Sequence, residues 1–114
     1  MNKTRVIPVL LLRGKGLVKT VKFKDPKYIG DPINSVRIFN EKEVDELVFL
    51  DITATSEGRG PDFELLADIA SEAFMPMAYG GGITSLDQVQ RVFALGFEKV
   101  IIDTAAYTDR SEEH

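Results

Sequence analysis

Four short apolar segments, each followed by a stretch with different spacing, constrain the fold of this chain more than any other feature. They lie at residues 5–12, 46–52, 76–79 and 98–104. Near-continuous apolar runs are typical of parallel strands that are covered on both faces. The segments between them are long enough for right-handed crossover connections. The pattern therefore predicts an α/β protein with a parallel sheet.

Helix-start signals follow the first three of these segments. Asp31-Pro32 predicts an N-cap followed by proline at the first helical position. Asp62 is the predicted cap of a second helix, and residues 85–88 (SLDQ) fit a capping box for a third, which Gly96 would end. Residues 13–30, rich in glycine and lysine, predict a long loop or a protruding hairpin.

Chain length then selects among parallel folds. A complete (β/α) barrel typically takes about 250 residues, whereas this chain has 114. A flavodoxin-like domain usually needs five strands. We therefore predict a single domain over residues 1–114: a parallel (β/α) half-barrel, the N-terminal half of a TIM barrel, cut before its fourth helix is complete.

Composition excludes several kinds of site. The chain has no cysteine, and its single histidine is residue 114, which argues against disulfides, thiolate nucleophiles, zinc sites and histidine triads. We predict no metal and no cofactor. No apolar run approaches the roughly 20 residues of a membrane helix, and the N-terminus lacks a signal-peptide pattern. The expectation is a cytoplasmic protein without a membrane partner.

Positive charge is concentrated at one end of the chain. Eight of the fourteen Lys and Arg residues lie in the first 27 positions, where Asp25 is the only acid, although the formal net charge is −4. Such asymmetry indicates either a nucleic-acid arm or a pocket for an anionic small molecule. Because Phe23 and Tyr28 are the only aromatic residues among the lysines, the pocket is favoured and no nucleic-acid partner is predicted.

Candidate anion-binding residues lie at the carboxyl ends of two predicted strands. Gly81 and Gly82 follow the third strand and precede a capped helix, so their backbone N–H groups could approach a phosphate, although a tight turn would use the same residues. Asp103 and Thr104 end the fourth strand, which would lie beside this turn in a barrel. The Asp103 carboxylate would oppose an anion there.

Three further groups of charged residues have two interpretations each. Asp51 ends an apolar strand on the side where barrels do chemistry, so it is either an acid–base or ligand-orienting group or a buried acid capping the next loop. Lys19 belongs either to a cationic flap over that side or to a solvated basic loop. At the opposite strand ends the residues alone favour solvent-facing charges over a paired lid. These charges are Arg5, Glu46 and Lys99.

Four strings together resemble a known family. They are GDP at 30–32, DELVFLDIT at 45–53, GGGI at 80–83, and KV with DTAA within 99–106. The chain resembles the cyclase subunit of imidazole glycerol phosphate synthase, and more closely its paralogues encoded with bacterial surface-polysaccharide genes. The resemblance covers nearly the whole chain.

The resemblance implies a lyase of histidine biosynthesis that works in a glutamine amidotransferase complex. A glutaminase docks at the barrel floor, ammonia passes a charged gate, and a phosphorylated substrate binds at the opposite mouth. For the paralogues it implies amidino-sugar formation for lipopolysaccharide, with an ATP-using amidotransferase as a further partner. By position, the gate comprises Arg5, Glu46 and Lys99, the active site Lys19 and Asp51, and the phosphate site Gly82 and Thr104. Glu98, beside Lys99, is expected at the partner interface.

Two departures from the family pattern affect the chemistry. Leu11 stands where the family carries a catalytic aspartate, and we expect its side chain at the barrel mouth, facing Asp51. Asp103 replaces the usual asparagine. Because leucine cannot exchange a proton, the amidino-sugar role is preferred and the fragment alone is expected to be inactive. The competing interpretation is a noncatalytic half-barrel that self-associates through its open sheet edges.

Overall fold

The computed structural model describes residues 5–19, 27–54 and 57–103, with the side chains of 19 and 27–29 left undescribed. The elements in chain order are β1 (Val9–Arg13), β2 (Gly16–Lys19), β3 (Lys27–Gly30), α1 (Pro32–Lys42), β4 (Leu47–Asp51), α2 (Phe63–Glu72), β5 (Met77–Gly80), α3 (Leu86–Ala94) and β6 (Lys99–Ile101). Within those ranges, no helix is both long and apolar enough to span a membrane.

The six strands form one sheet in the order β3-β2-β1-β4-β5-β6. The four strands β1, β4, β5 and β6 are parallel, and β2 and β3 add an antiparallel hairpin beside β1. The predicted α/β class is confirmed, with four parallel strands arranged as in part of a (β/α) barrel. The hairpin accounts for part of the segment that was predicted to be a long loop or a protruding hairpin.

Each helix begins at its predicted cap. The carboxylates of Asp31 and Asp62 accept hydrogen bonds from the N–H groups of Ile33 and Leu65, at 3.0 and 3.1 Å. The Ser85 hydroxyl accepts from the Gln88 N–H at 3.4 Å. The return half of the predicted capping box differs, because the Gln88 side chain accepts from the N–H of Thr84, one residue earlier, at 2.6 Å.

Only one face of the sheet is covered by the described helices. Along β4 the buried residues alternate with partly exposed ones, so that Leu47 and Phe49 lie beneath the helices whereas Val48 and Leu50 belong to the open face. Val9 of β1 and Ile101 of β6, which belong to this open face, are exposed. The expectation that the strands would be covered on both faces is therefore wrong for this part of the chain.

Each helix buries apolar side chains against the sheet. Val36 of α1 and Ile69 of α2 are fully buried against the sheet, as is Val92 of α3. Leu86 and Phe93 of α3 are apolar and nearly half exposed. Their exposure follows from position, because α2 is the only described helix that packs beside α3.

Candidate functional site

The carboxylate of Asp51 lies at the carboxyl end of β4 and organises the loop that follows. Its Oδ1 accepts from the N–H groups of Thr53 and Ala54, both at 3.0 Å, and from the Thr53 hydroxyl at 3.2 Å. The side chain is 2% exposed. This is the geometry of the loop-capping interpretation, and the proton-transfer role stays a prediction.

Arg59 completes the shell around this carboxylate. Its two terminal nitrogens donate to the two oxygens of Asp51 at 3.0 and 3.3 Å, a bidentate arrangement, and Nη2 also lies 3.2 Å from the Thr53 hydroxyl. Glu57 accepts from Arg59 Nε at 2.7 Å. The hydrogen bonds to Glu57 and Asp51 raise the pKa of Arg59, so the guanidinium remains a permanent cation beside the strand end.

Sequence reasoning missed Arg59 because it lies in a loop, where no periodicity marks a functional position. The available signal was an arginine between two glycines, eight residues after the acid that ends β4. Such a spacing lets the chain turn back over the strand end. The cluster formed by Asp51, Thr53, Glu57 and Arg59 is called the β4 corner below.

The predicted glycine turn packs directly against the β4 corner. Gly81 and Gly82 have φ values of +125° and +69°, which side chains rarely adopt. A Cβ on Gly81 would lie 2.6 Å from the Asp51 carbonyl oxygen, and one on Gly82 would lie 2.8 Å from that of Arg59. The turn thus requires glycine for both its conformation and its contacts.

A buried tyrosine holds the same turn from below. The Tyr79 hydroxyl donates to the Gly81 carbonyl at 2.8 Å, and its ring meets Phe97 edge-on. Burial, with a smaller effect of Asp51, raises the pKa of Tyr79 far above its usual value. The hydroxyl therefore remains protonated and serves as a donor. Beside the turn, a cleft of about 280 Å³ is lined by Gly58, Arg59, Gly60, Gly82, Thr84 and Gln88.

Strand register separates two residues that were expected to face each other. Leu11 pairs with Leu50, and Leu12 pairs with Asp51. Because successive side chains of a strand point to opposite faces, Leu11 belongs to the open face and Asp51 to the helix-covered face. The prediction that Leu11 faces Asp51 is therefore wrong.

The other predicted residues of this edge are only partly described. Asp103 is exposed beyond the end of β6, and Thr104 lies outside the described residues. Lys19 is the last residue of β2, where its backbone pairs with Lys27. The hairpin is anchored at its first turn, because Lys15 Nζ lies 2.7 Å from the carboxylate of Asp62, the cap of α2.

Three charged residues meet at the amino ends of the strands. One oxygen of Glu46 lies 3.2 Å from Lys99 Nζ and 3.8 Å from Arg5 Nη2. The Glu46 side chain is 7% exposed, whereas those of Arg5 and Lys99 are 63% and 66% exposed. The expectation that all three face solvent is wrong for Glu46, and the paired alternative is the one observed. The exposed Glu98 directly precedes Lys99.

Comparison with known proteins shows the family to which the chain belongs. The model of a family described as "Histidine biosynthesis protein" matches residues 5–112. A relative from Pseudomonas aeruginosa, provisionally named imidazole glycerol phosphate synthase subunit hisF2, is 60% identical over 97% of this chain and 44% of its own length. A Vibrio vulnificus protein, provisionally named subunit hisF3, is 57% identical over 94% of this chain and 41% of its own.

A third relative carries the name without qualification. The imidazole glycerol phosphate synthase subunit HisF of Solidesulfovibrio magneticus is 42% identical over 93% of this chain and 41% of its own length. The chain thus spans about two fifths of the length of the curated relatives it matches. The match over residues 5–112 establishes that the chain belongs to the histidine biosynthesis protein family, as its resemblance to the cyclase subunit of imidazole glycerol phosphate synthase predicts.

Proposed function

We propose that this chain forms part of a cyclase-type lyase subunit that receives ammonia from a glutaminase and adds its nitrogen to a phosphorylated substrate. The observation that carries the proposal is the meeting of Arg5 and Lys99 on the buried Glu46 at the amino ends of the strands. Since both cations are about two-thirds exposed, each can leave Glu46 at little cost. A closure of this kind suits a small neutral molecule that enters from the floor.

The features at the carboxyl ends of the strands, opposite Glu46, support a phosphate site. Gly81 and Gly82 form a turn directly before α3, whose N-terminus favours negative charge. The β4 corner and Tyr79 hold this turn on two sides, so its N–H groups do not have to be ordered when a ligand binds. Thr104 is proposed to complete the phosphate site, and Lys19 to serve the active site with Asp51, as the family resemblance implies.

Between the two reactions of the family, we favour amidino-sugar formation over imidazole ring closure. Leu11 lies on the open face next to Leu50, so this part of the face is apolar where the family pattern has an aspartate. A proton transfer that the ring closure requires would need a titratable group in that position. In this version an ATP-using amidotransferase acts with the glutaminase.

Growth complementation tests the choice of reaction. The full-length protein and its glutaminase would be expressed in a histidine auxotroph that lacks its own cyclase. We expect no growth with the wild-type protein and growth with Leu11→Asp. The matched control is Leu11→Asn, because asparagine has the shape of aspartate but no titratable group. This variant should not support growth. Rescue by the wild-type protein would overturn the amidino-sugar assignment in favour of histidine biosynthesis.

The open face favours a second candidate function, self-association as a noncatalytic scaffold. Val9 and Ile101 expose apolar side chains on a parallel sheet whose face is uncovered within the described ranges. Sedimentation of the 114-residue chain with Val9→Ser and Ile101→Ser tests it. A concentration-dependent dimer that the substitutions dissociate supports the scaffold, and a monomer at all concentrations contradicts it.

A further inference from the structure

We infer that Phe74 is the anchor by which a glutaminase docks on the floor of the sheet. The inference rests on the proposed function, and it names the side chain that would carry most of the binding. Phe74 lies in the connection between α2 and β5 and is 87% exposed, more than any other large apolar side chain in the described part of the chain. Aromatic side chains that fill a partner's pocket dominate the binding energy of many interfaces.

The connection that carries Phe74 is fixed rather than loose. The side-chain oxygen of Asn40, near the end of α1, accepts from the Phe74 N–H at 2.9 Å, and its amide nitrogen donates to the Glu72 carbonyl at 2.7 Å. Arg37 donates to the Glu72 carboxylate at 3.0 Å. An exposed aromatic ring on a pinned backbone loses little conformational freedom when it binds.

Phe74 lines two clefts on this surface. One has a volume of about 300 Å³ and is lined by Arg37, Asn40, Glu41, Ser71, Glu72 and Phe74. The other, of about 340 Å³, is lined by Asn40, Glu43, Val44, Phe74 and Met75. Phe74 thus stands as a projection between two hollows, an arrangement that a complementary surface can grip on both sides.

The position of Phe74 in the sheet indicates that it contacts a separate protein and not a further part of this sheet. Phe74 precedes β5, which has β4 and β6 as neighbours, and its loop is held by α1 and α2. Further strands of the same sheet would add at one of its two edges, β3 or β6. Strands added there would not pair with β5, the strand that follows Phe74.

The surroundings of Phe74 place it on the same surface as the charged gate. Pro76, two residues later, accepts a hydrogen bond from the N–H of Leu47, the residue after Glu46. The exposed rim carries the carboxylates of Glu41, Glu43 and Asp45 together with the cations Arg37 and Lys42. A partner with an apolar pocket rimmed by side chains of both charges would complement this surface. Docking on Phe74 would place that partner on the surface that carries the Glu46 cluster.

A binding titration with the full-length subunit and its glutaminase tests the inference. Phe74→Ala should raise the dissociation constant by about 30-fold or more, the size of a hot-spot loss. Phe74→Leu should restore most of the affinity. Ile38→Ala, which removes an exposed apolar side chain from α1, should leave the affinity unchanged. Because Phe74 is exposed, the melting temperature of the Ala variant should match that of the wild type.

The possible outcomes separate this inference from the function on which it rests. Wild-type binding together with an unchanged affinity for Phe74→Ala would overturn the anchor and leave the glutaminase partnership standing. No binding by the wild type would overturn both. If the subunit alone is a dimer and Phe74→Ala makes it a monomer, Phe74 binds a second copy of the subunit. The inference that it binds a glutaminase would then be wrong. In the supporting case, activity with ammonium salt is unchanged while glutamine-driven activity at low glutaminase concentration falls.

Discussion

Two buried carboxylates stand at opposite ends of the same strand, and the structure neutralises them in different ways. Asp51, at the carboxyl end of β4, is held by its own loop and by Arg59, whose side chain is 32% exposed. Glu46, just before the amino end, is held by Arg5 and Lys99, which are about twice as exposed. The first arrangement is fixed by short-range contacts, and the second can open without loss of structure.

The difference follows from the number and the origin of the donors. Asp51 receives two backbone N–H bonds from residues two and three positions later, so folding of the loop itself creates the binding site for the carboxylate. Glu46 depends on side chains 41 and 53 positions away, which meet it only when the strands align. We therefore expect Asp51 to act mainly on stability and Glu46 mainly on function.

The largest effect is expected from Asp51→Ala. The substitution leaves the Ala54 N–H without its acceptor in a buried position and removes the partner of Arg59. Losing one member of a buried charge pair typically costs about 3–5 kcal/mol, and the partial exposure of Arg59 places the expected loss near the lower value. Urea denaturation of the full-length protein measures the free energy of unfolding.

Asp51→Asn provides the control for this experiment. It retains an oxygen that can accept from the Thr53 and Ala54 N–H groups and lacks the charge that pairs with Arg59. A smaller loss, of about 1–2 kcal/mol, is expected because the backbone donors remain satisfied. A loss below about 1 kcal/mol for the Ala variant would contradict the rigid role of the β4 corner.

A second substitution tests whether the glycine turn shares that rigidity. Gly81→Ala places a methyl group 2.6 Å from the Asp51 carbonyl at a φ of +125°, so we expect a loss of about 1–3 kcal/mol in stability. Gly14→Ala is the matched control, since Gly14 also has a positive φ (+62°) but open space around the added Cβ. Gly14→Ala should cost only the backbone strain, about 1 kcal/mol. Equal losses, measured by the same denaturation, would show that contact with the β4 corner is unimportant.

The comparison also shows which features a sequence can reveal. Helix starts at Asp31, Asp62 and Ser85 were predictable because a cap bonds to a residue two or three positions later. The pairing of Glu46 with Lys99 requires the register of three strands, since Glu46 directly precedes β4, Lys99 begins β6, and β5 lies between these strands. Neither composition nor local spacing contains that information.

The prediction that Leu11 faces Asp51 is wrong for the same reason. A shift of one residue in register moves a side chain to the other face of the sheet, so identifying two strand ends does not show whether their side chains meet. Arg59 escaped prediction for a related reason, because its contact with Asp51 depends on the path of a loop. The family resemblance supplied positions for the gate, but the burial of Glu46 needed the structure.

The smallest effect on stability, and the clearest on function, is expected from Glu46→Gln. Glutamine keeps the shape of the side chain and an oxygen that can accept from Lys99, while it removes the charge that attracts both cations. Because Arg5 and Lys99 are already largely hydrated, the free energy of unfolding should change by less than about 1 kcal/mol. The closure itself should weaken by up to about fivefold, which corresponds to a loss of about 1 kcal/mol from the two exposed ion pairs. Product formation would be compared with glutamine and with ammonium salt as the nitrogen source, using the full-length protein with its glutaminase. We expect the ratio of glutamine-driven to ammonium-driven activity to fall, because ammonia released by the glutaminase would no longer be confined.

Glu98→Gln, an exposed change next to Lys99, should leave that ratio unchanged at saturating glutaminase. An unaltered ratio for Glu46→Gln, or a loss of stability as large as that of Asp51→Ala, would mean that both ends of β4 are structural and that the amino end is no gate.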